Sequence, residues 1–282
     1  MKPTRFIDLV PHIVLIAGVL IFAYPIYVTL IGSTWDSGTI GRGGLPLWPG
    51  GQGVDNYAQA WAGEAGARAT YTPVRTMMLN SLVMALAIAL GKIAISILSA
   101  YAVAFFRFPL RMAFFWLIFI TLMLPVEVRI IPTYKVVADL GLINTYAGLA
   151  IPLIASATAT LLFRQFFLTI PDELLEAAKI DGAGPVRFFI DVVLPLSRTN
   201  IAALFVILFI YGWNQYLWPL LVTSSGDMET IVTGITKMIG TGESANDWNL
   251  IMATTVLAML PPVAVVVLMQ RWFVKGLVDS EK

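Results

Sequence analysis

Lys92 constrains the chemistry of this sequence more than any other residue. It falls near the middle of an apolar run from about Leu79 to Phe106, where a central charge costs roughly 2.5–3.5 kcal/mol on insertion scales. A cation so placed must face a cavity or a partner. Ser96 and Ser99 lie one and two turns further along, so the three side chains form a polar stripe on one helical face. Such a stripe can hold an anionic group transiently, or Lys92 can pair with a carboxylate or carbonyl of a neighbouring chain; the sequence leaves both readings open. Arg129, close to Glu127 at the outer end of the next apolar run, is a second candidate for an anion or a partner for that glutamate. Asn214 lies within Trp213-Asn214-Gln215-Tyr216, inside another apolar run, where amides either tie helices together or line a path. None of this is covalent chemistry.

Other chemistries are absent. The chain has no cysteine, which excludes disulfides and thiolate sites. Its one histidine, His12, stands near the start of the first apolar run and reads as an interfacial residue. Gly91-Lys92 is the only plausible core of a phosphate-binding loop, but Leu86 occupies the first glycine position and Ile93 follows the lysine. That pair is not a nucleotide site, so any ATPase would have to be a separate chain. A formal charge of +1, with no basic stripe, argues against nucleic acid as a partner.

The elements that position these residues are membrane helices. The 282 residues are 58% hydrophobic and only 12% charged, too apolar for an ordinary soluble domain. Six spans are expected, over about Val10–Ile31, Leu79–Phe106, Ala113–Pro125, Ala147–Phe167, Ile201–Val222 and Leu250–Gln270, the first being long enough to cross ~30 Å of hydrocarbon. It is too long for the apolar core of a signal peptide. Val126 to Tyr146 reads as a short outer helix interrupted at Pro132, and Pro261-Pro262 should kink the sixth span. With the amino terminus inside, about 11 basic residues fall on that side against about 6 on the other. Both termini are then cytoplasmic.

One polar island, Pro171 to Pro195, interrupts the apolar pattern on the cytoplasmic side. Pro171, Asp172 and Glu173 suit a helix start, Lys179 its last turn and Gly182 a left-handed cap. Pro185 opens a second helix with an apolar stripe of Phe188, Phe189, Val192 and Val193, which Pro195 should end. Small Ala177 and Ala178 would let the first helix slide into a groove on a partner; a solvated hairpin with no partner is the alternative.

Glu176-Ala177-Ala178, Asp181-Gly182-Ala183 and Leu194-Pro195 resemble the EAA loop of binding-protein-dependent ABC importer permeases. Asn80-Ser81, Arg107-Phe108-Pro109, ITLMLPVEVRIIPTY, SATATLLFRQFF, IYGWNQYLWPLL and the terminal GLVDSEK agree with this over nearly the whole chain. The resemblance is to the sugar and sugar-phosphate subfamily, in the branch that imports sn-glycerol 3-phosphate.

It implies an all-α integral membrane protein with the type 1 importer permease fold. The first span and an extracytoplasmic loop would occupy residues 1–75, the permease domain 76–270 with its loop at 171–195, and a cytoplasmic tail 271–282. It implies a non-catalytic subunit in the inner membrane, partnered by a homologous sister permease, two ATP-binding subunits that hold ATP and Mg, and an extracytoplasmic solute-binding protein. Glu176, Ala177, Ala178, Asp181, Gly182, Ala183, Leu194 and Pro195 would couple to the ATPase. Lys92, Ser96, Arg129 and Asn214 are candidates for the substrate pathway, and no metal is expected. Neutral sugars are the alternative cargo. A secondary transporter, with broken helices and paired intramembrane carboxylates, and a simple membrane anchor are the rivals from other classes.

Overall fold

The computed structural model describes residues 9–44, 47–63, 72–121, 126–239 and 247–278, without the side chains of 126, 127 and 272–278. Lys2, Arg5, Arg68 and Lys282, the side chains of Glu127 and Lys275, and the stretch 122–125 lie outside the described residues.

In chain order the helices are α1 (Leu9–Gly32), α2 (Ser37–Gly41), α3 (Gly53–Ala62), α4 (Val74–Phe105), α5 (Arg111–Ile120), α6 (Val126–Asp139), α7 (Tyr146–Ala150), α8 (Ala157–Phe167), α9 (Asp172–Ile180), α10 (Pro185–Phe188), α11 (Leu194–Leu196), α12 (Arg198–Trp213), α13 (Leu217–Val222), α14 (Ile231–Met238) and α15 (Trp248–Val278). The chain forms two compact units, one of residues 1–76 with 234–260, the other of 77–233 with 261–282.

In the first unit α1 is apolar all round and exposed over most of its length, as a helix in contact with lipid should be. The chain after it is pinned by polar side chains. Asn56, 2% exposed, donates to the carbonyls of Ser33 and Trp35 at 2.9 Å each, and its Oδ1 accepts from Asn249 Nδ2 at 2.8 Å. Trp35 Nε1 donates to Trp48 O at 2.8 Å. Asp36 caps α2, and the Thr39 hydroxyl and then its amide hold the Asp36 carboxyl below its usual range. Met238, Leu250 and Ile251 form the apolar core here.

The second unit is organised on α4. Met84 and Ile88 pack with Leu149 and Ala150, while Ile130, Val137, Trp218 and Val222 make a neighbouring cluster. Gly212 of α12 lies so close to α4 that a Cβ there would meet the Ala85 Cα at 2.9 Å, the close backbone approach that binds helices in lipid. At one end of α4, Asn80 donates to the carbonyls of Asp227 and Glu229 (2.8 and 2.9 Å) and accepts from the Tyr146 hydroxyl (2.7 Å). Ser81 Oγ accepts from Ile231 N at 2.8 Å. These bonds fix the segment that follows α13.

Three single helices are long and apolar enough to cross a membrane, α1, α4 and residues 248–271 of α15, and two bent pairs bring the number to five among the described residues. The expected span at 113–125 corresponds to the ten-residue apolar helix α5. The expected fourth span is a bent pair: α7 and a 3-10 turn, Ile151–Leu153, meet α8 at 49°. Ser156 causes the break by capping α8, its Oγ accepting from Ala159 N at 3.3 Å. The expected fifth span is α12 and α13, separated around Asn214 and Gln215. Helix α6 continues past Pro132, and α15 past Pro261 and Pro262.

Candidate coupling hairpin and intramembrane cation site

The polar island folds as the hairpin its residues suggest. Pro171 is the N-cap of α9, Asp172 and Glu173 stand in the first turn, and Lys179 is in the last, each charge matched to the helix dipole. Gly182 adopts φ +72°. Its N–H donates to Lys179 O at 3.0 Å, while Ala183 N–H donates to Ala178 O at 2.8 Å. This is the paired closure of a Schellman cap. No residue of α9 is buried; Glu176, Ala177 and Ile180 are exposed, whereas Leu175 and Ala178 are partly covered.

The second arm differs from expectation. Pro195 does not end the helix. It has no N–H, and its ring would collide with the carbonyl four residues back. The backbone widens instead into a π-helical segment, Phe189–Val193, where Leu194 N–H reaches Phe189 O. Helix then continues to Leu196, and a 71° bend at Ser197 leads into α12. Ser197 is fully buried, its hydroxyl donating to Val193 O at 2.6 Å.

An aromatic cluster ties this arm to the end of α4. The Tyr101 hydroxyl donates to Pro185 O at 2.8 Å. Its ring lies 4.9 Å from Phe189 and 5.2 Å from Phe105, and Phe105 meets Phe188 edge-on at 5.4 Å. Phe188 and Val193 are buried, while Phe189 and Val192 are partly so. A cavity of about 240 Å3 lined by Tyr101, Phe105, Leu175, Ala178, Ala183 and Phe188, among others, lies under α9. The hairpin is thus clamped along its second arm, with its first arm open to a partner.

The cation site lies further along α4. Lys92 is only 7% exposed, and its Nζ stands 3.8 Å from the centroid of the Tyr211 ring on α12, a cation–π contact. Ser96, fully buried, donates to Ser156 O at 3.1 Å and so ties α4 to the break before α8. Arg129 of α6 is exposed. The ion pairs among the described residues are Lys135–Asp139 and Arg187–Asp191, so neither Lys92 nor Arg129 belongs to one there. The structure therefore sets Lys92 against Tyr211 of α12, and Ser96, one turn further along α4, against the break before α8. Ser99 turns away and bonds Ile95 O of its own helix at 2.7 Å. Asn214, exposed, is the C-cap of α12, one turn beyond Tyr211, and joins the region only through that helix.

Tyr211 and Tyr101 were not singled out by the sequence. A tyrosine in an apolar span needs a partner for its hydroxyl or a cation for its face, and that signal was available at 101 and 211.

This fold, with its hairpin, defines a membrane transport subunit, and the chain belongs to the family of binding-protein-dependent transport system inner membrane components, which it matches over residues 92–279. It is a multi-pass inner-membrane protein. It is 62% identical, over 275 residues covering 98% of this chain and 97% of the relative, to the sn-glycerol-3-phosphate transport system permease protein UgpE of Rhizobium meliloti (strain 1021). The protein of that name from Yersinia pestis bv. Antiqua (strain Antiqua) is 59% identical over 278 residues, 99% of this chain and 98% of its own. Among solved structures, a chain of a bacterial ABC transporter involved in the import of the acidic polysaccharide alginate superposes with a TM-score of 0.81, covering 97% of this chain and 98% of that one at 21% identity. That likeness is one of fold.

Proposed function

We propose that this chain is one of the two permease subunits of an ATP-driven importer for sn-glycerol 3-phosphate and related glycerophosphodiesters. The hairpin carries the transport reading. Its first arm leaves Glu176, Ala177 and Ile180 free for a partner, while a Schellman cap and an aromatic clamp fix its geometry. Likeness to permeases named for sn-glycerol-3-phosphate transport supports the choice of cargo.

In this reading a homologous sister permease completes the pathway, and two ATP-binding subunits bind ATP and Mg and receive α9. An extracytoplasmic solute-binding protein delivers the cargo. The hairpin and both termini are cytoplasmic, in keeping with the excess of basic residues on that side. The chain performs no covalent chemistry. Closure of the ATPase pair displaces Glu176–Ala183 as a rigid unit, and the Leu194-Pro195 arm with Tyr101 passes the displacement to α4. That helix carries Lys92 and Ser96, so the motion reaches the cation region. There Lys92 and Arg129 supply positive potential for a phosphate during passage, and Asn214 lines the path.

Uptake of labelled sn-glycerol 3-phosphate by cells that express the complete importer as their only route tests this. Competition by an unlabelled glycerophosphodiester, and none by a neutral disaccharide, is expected. No uptake of the phosphate, with uptake of the disaccharide, would move the chain to the neutral-sugar importers.

A further inference from the structure

A cleft of about 530 Å3 opens in the second unit between α4, the second arm of the hairpin and α12. Leu90, Ile93, Leu194, Phe205 and Met269 contribute its apolar walls, and Arg198 is the only charged residue of its lining among the described residues. We propose that this cleft is a binding site for an anionic phospholipid of the inner leaflet, with an acyl chain between α4 and α12 and the headgroup phosphate on Arg198.

Lining and charge favour that occupant. The cleft is lined along α12 from Arg198 to Phe205, about 10 Å of helix rise. Seams between helices in lipid are rich in small residues, which let backbones approach. Here, among the described residues, Ala202 is the single small side chain, and the other apolar groups are leucine, isoleucine, proline, phenylalanine and methionine. Such walls suit a flexible chain better than another helix.

Arg198 is exposed and belongs to no ion pair among the described residues. It opens α12 with no acidic residue in the first turn, so the positive end of the helix dipole adds to its charge rather than offsetting it. A guanidinium so placed calls for an anion, and its planar fork matches phosphate oxygens. Basic residues between spans at the cytoplasmic end are where anionic headgroups collect. Ile190, Leu194 and Pro195 also line the cleft. A lipid seated there touches the arm that joins the hairpin to α12.

The proposal rests on the reading that the hairpin is cytoplasmic. That reading is tested separately by a single cysteine at Lys179, since the chain has none of its own, labelled by an impermeant maleimide from the inner face only. The lipid itself is read by native mass spectrometry of the purified complex, delipidated and offered phosphatidylglycerol and phosphatidylcholine in equal amounts. The wild type should retain phosphatidylglycerol about fivefold over phosphatidylcholine, the worth of one basic residue at the surface. Arg198→Gln should bring the two to parity, and Ala202→Trp should remove the retained lipid of both kinds. An unchanged preference in Arg198→Gln, or undiminished lipid in Ala202→Trp, would overturn the site. So would efficient cross-linking of Ala202→Cys to another subunit, which would make the cleft a protein interface.

Discussion

Gly182 offers the sharpest test of the hairpin as a lever, because its backbone alone decides the turn. It sits at φ +72° with open space where a Cβ would go, so strain and not collision governs substitution. Alanine there costs about 1–2 kcal/mol of left-handed strain, enough to shift the balance between closed and open cap by roughly five- to thirtyfold. Proline is worse: its ring fixes φ near −65°, and it removes the N–H that donates to Lys179 O at 3.0 Å, a further loss of about 0.5–1.5 kcal/mol. Asparagine tolerates this conformation. Because no residue of α9 is buried in this chain, all three variants should insert normally. In proteoliposomes, transport per ATP hydrolysed should fall in the order Gly, Asn, Ala, Pro, with proline uncoupled. Coupled transport at the wild-type ratio in Gly182→Pro would refute the lever.

Tyr101→Phe keeps the aromatic contacts and removes the bond to Pro185 O, so transport per ATP should drop with little change in thermal stability; Tyr101→Ala should lose both, and an unchanged ratio in Tyr101→Phe would deny the hydroxyl any part in coupling. Lys92→Met relieves a charge that costs roughly 2.5–3.5 kcal/mol on insertion; yield in the membrane should hold or rise while uptake of a phosphorylated cargo collapses, and full uptake would end the role proposed for Lys92. Asn80→Ala leaves the carbonyls of Asp227 and Glu229 and the Tyr146 hydroxyl without the bonds they now make, a loss of about 1–3 kcal/mol; the melting temperature of the detergent-solubilised complex should fall, and a change within error would contradict the clamp.

The hairpin was legible because local rules govern it. Pro171, the acidic first turn, Lys179 and Gly182 each state a helix boundary in their own chemistry, and the structure uses them nearly as read. The bent spans were less so. Hydropathy sees apolar residues on both sides of Ser156 and runs them together, although a serine that caps a helix marks where direction changes. The π segment follows from Pro195 only once α12 must begin just beyond it. Lys92 announced itself as a misplaced charge, yet Tyr211 beneath it comes from a distant helix, and only tertiary packing brings them together. Ser99, one turn from Ser96, was expected to share the stripe; the Ile95 carbonyl of its own helix was the nearer partner.

The central claim, that this chain couples ATP hydrolysis by its partners to passage of a phosphorylated glycerol derivative, is tested most directly by the ATPase rate of the reconstituted complex. The complex and its cognate binding protein are supplied in turn with sn-glycerol 3-phosphate, a glycerophosphodiester and a neutral disaccharide. Stimulation by the two phosphorylated ligands, lost in Gly182→Pro, is predicted. Stimulation by the disaccharide alone, or by the phosphorylated ligands with full coupling in Gly182→Pro, would contradict it.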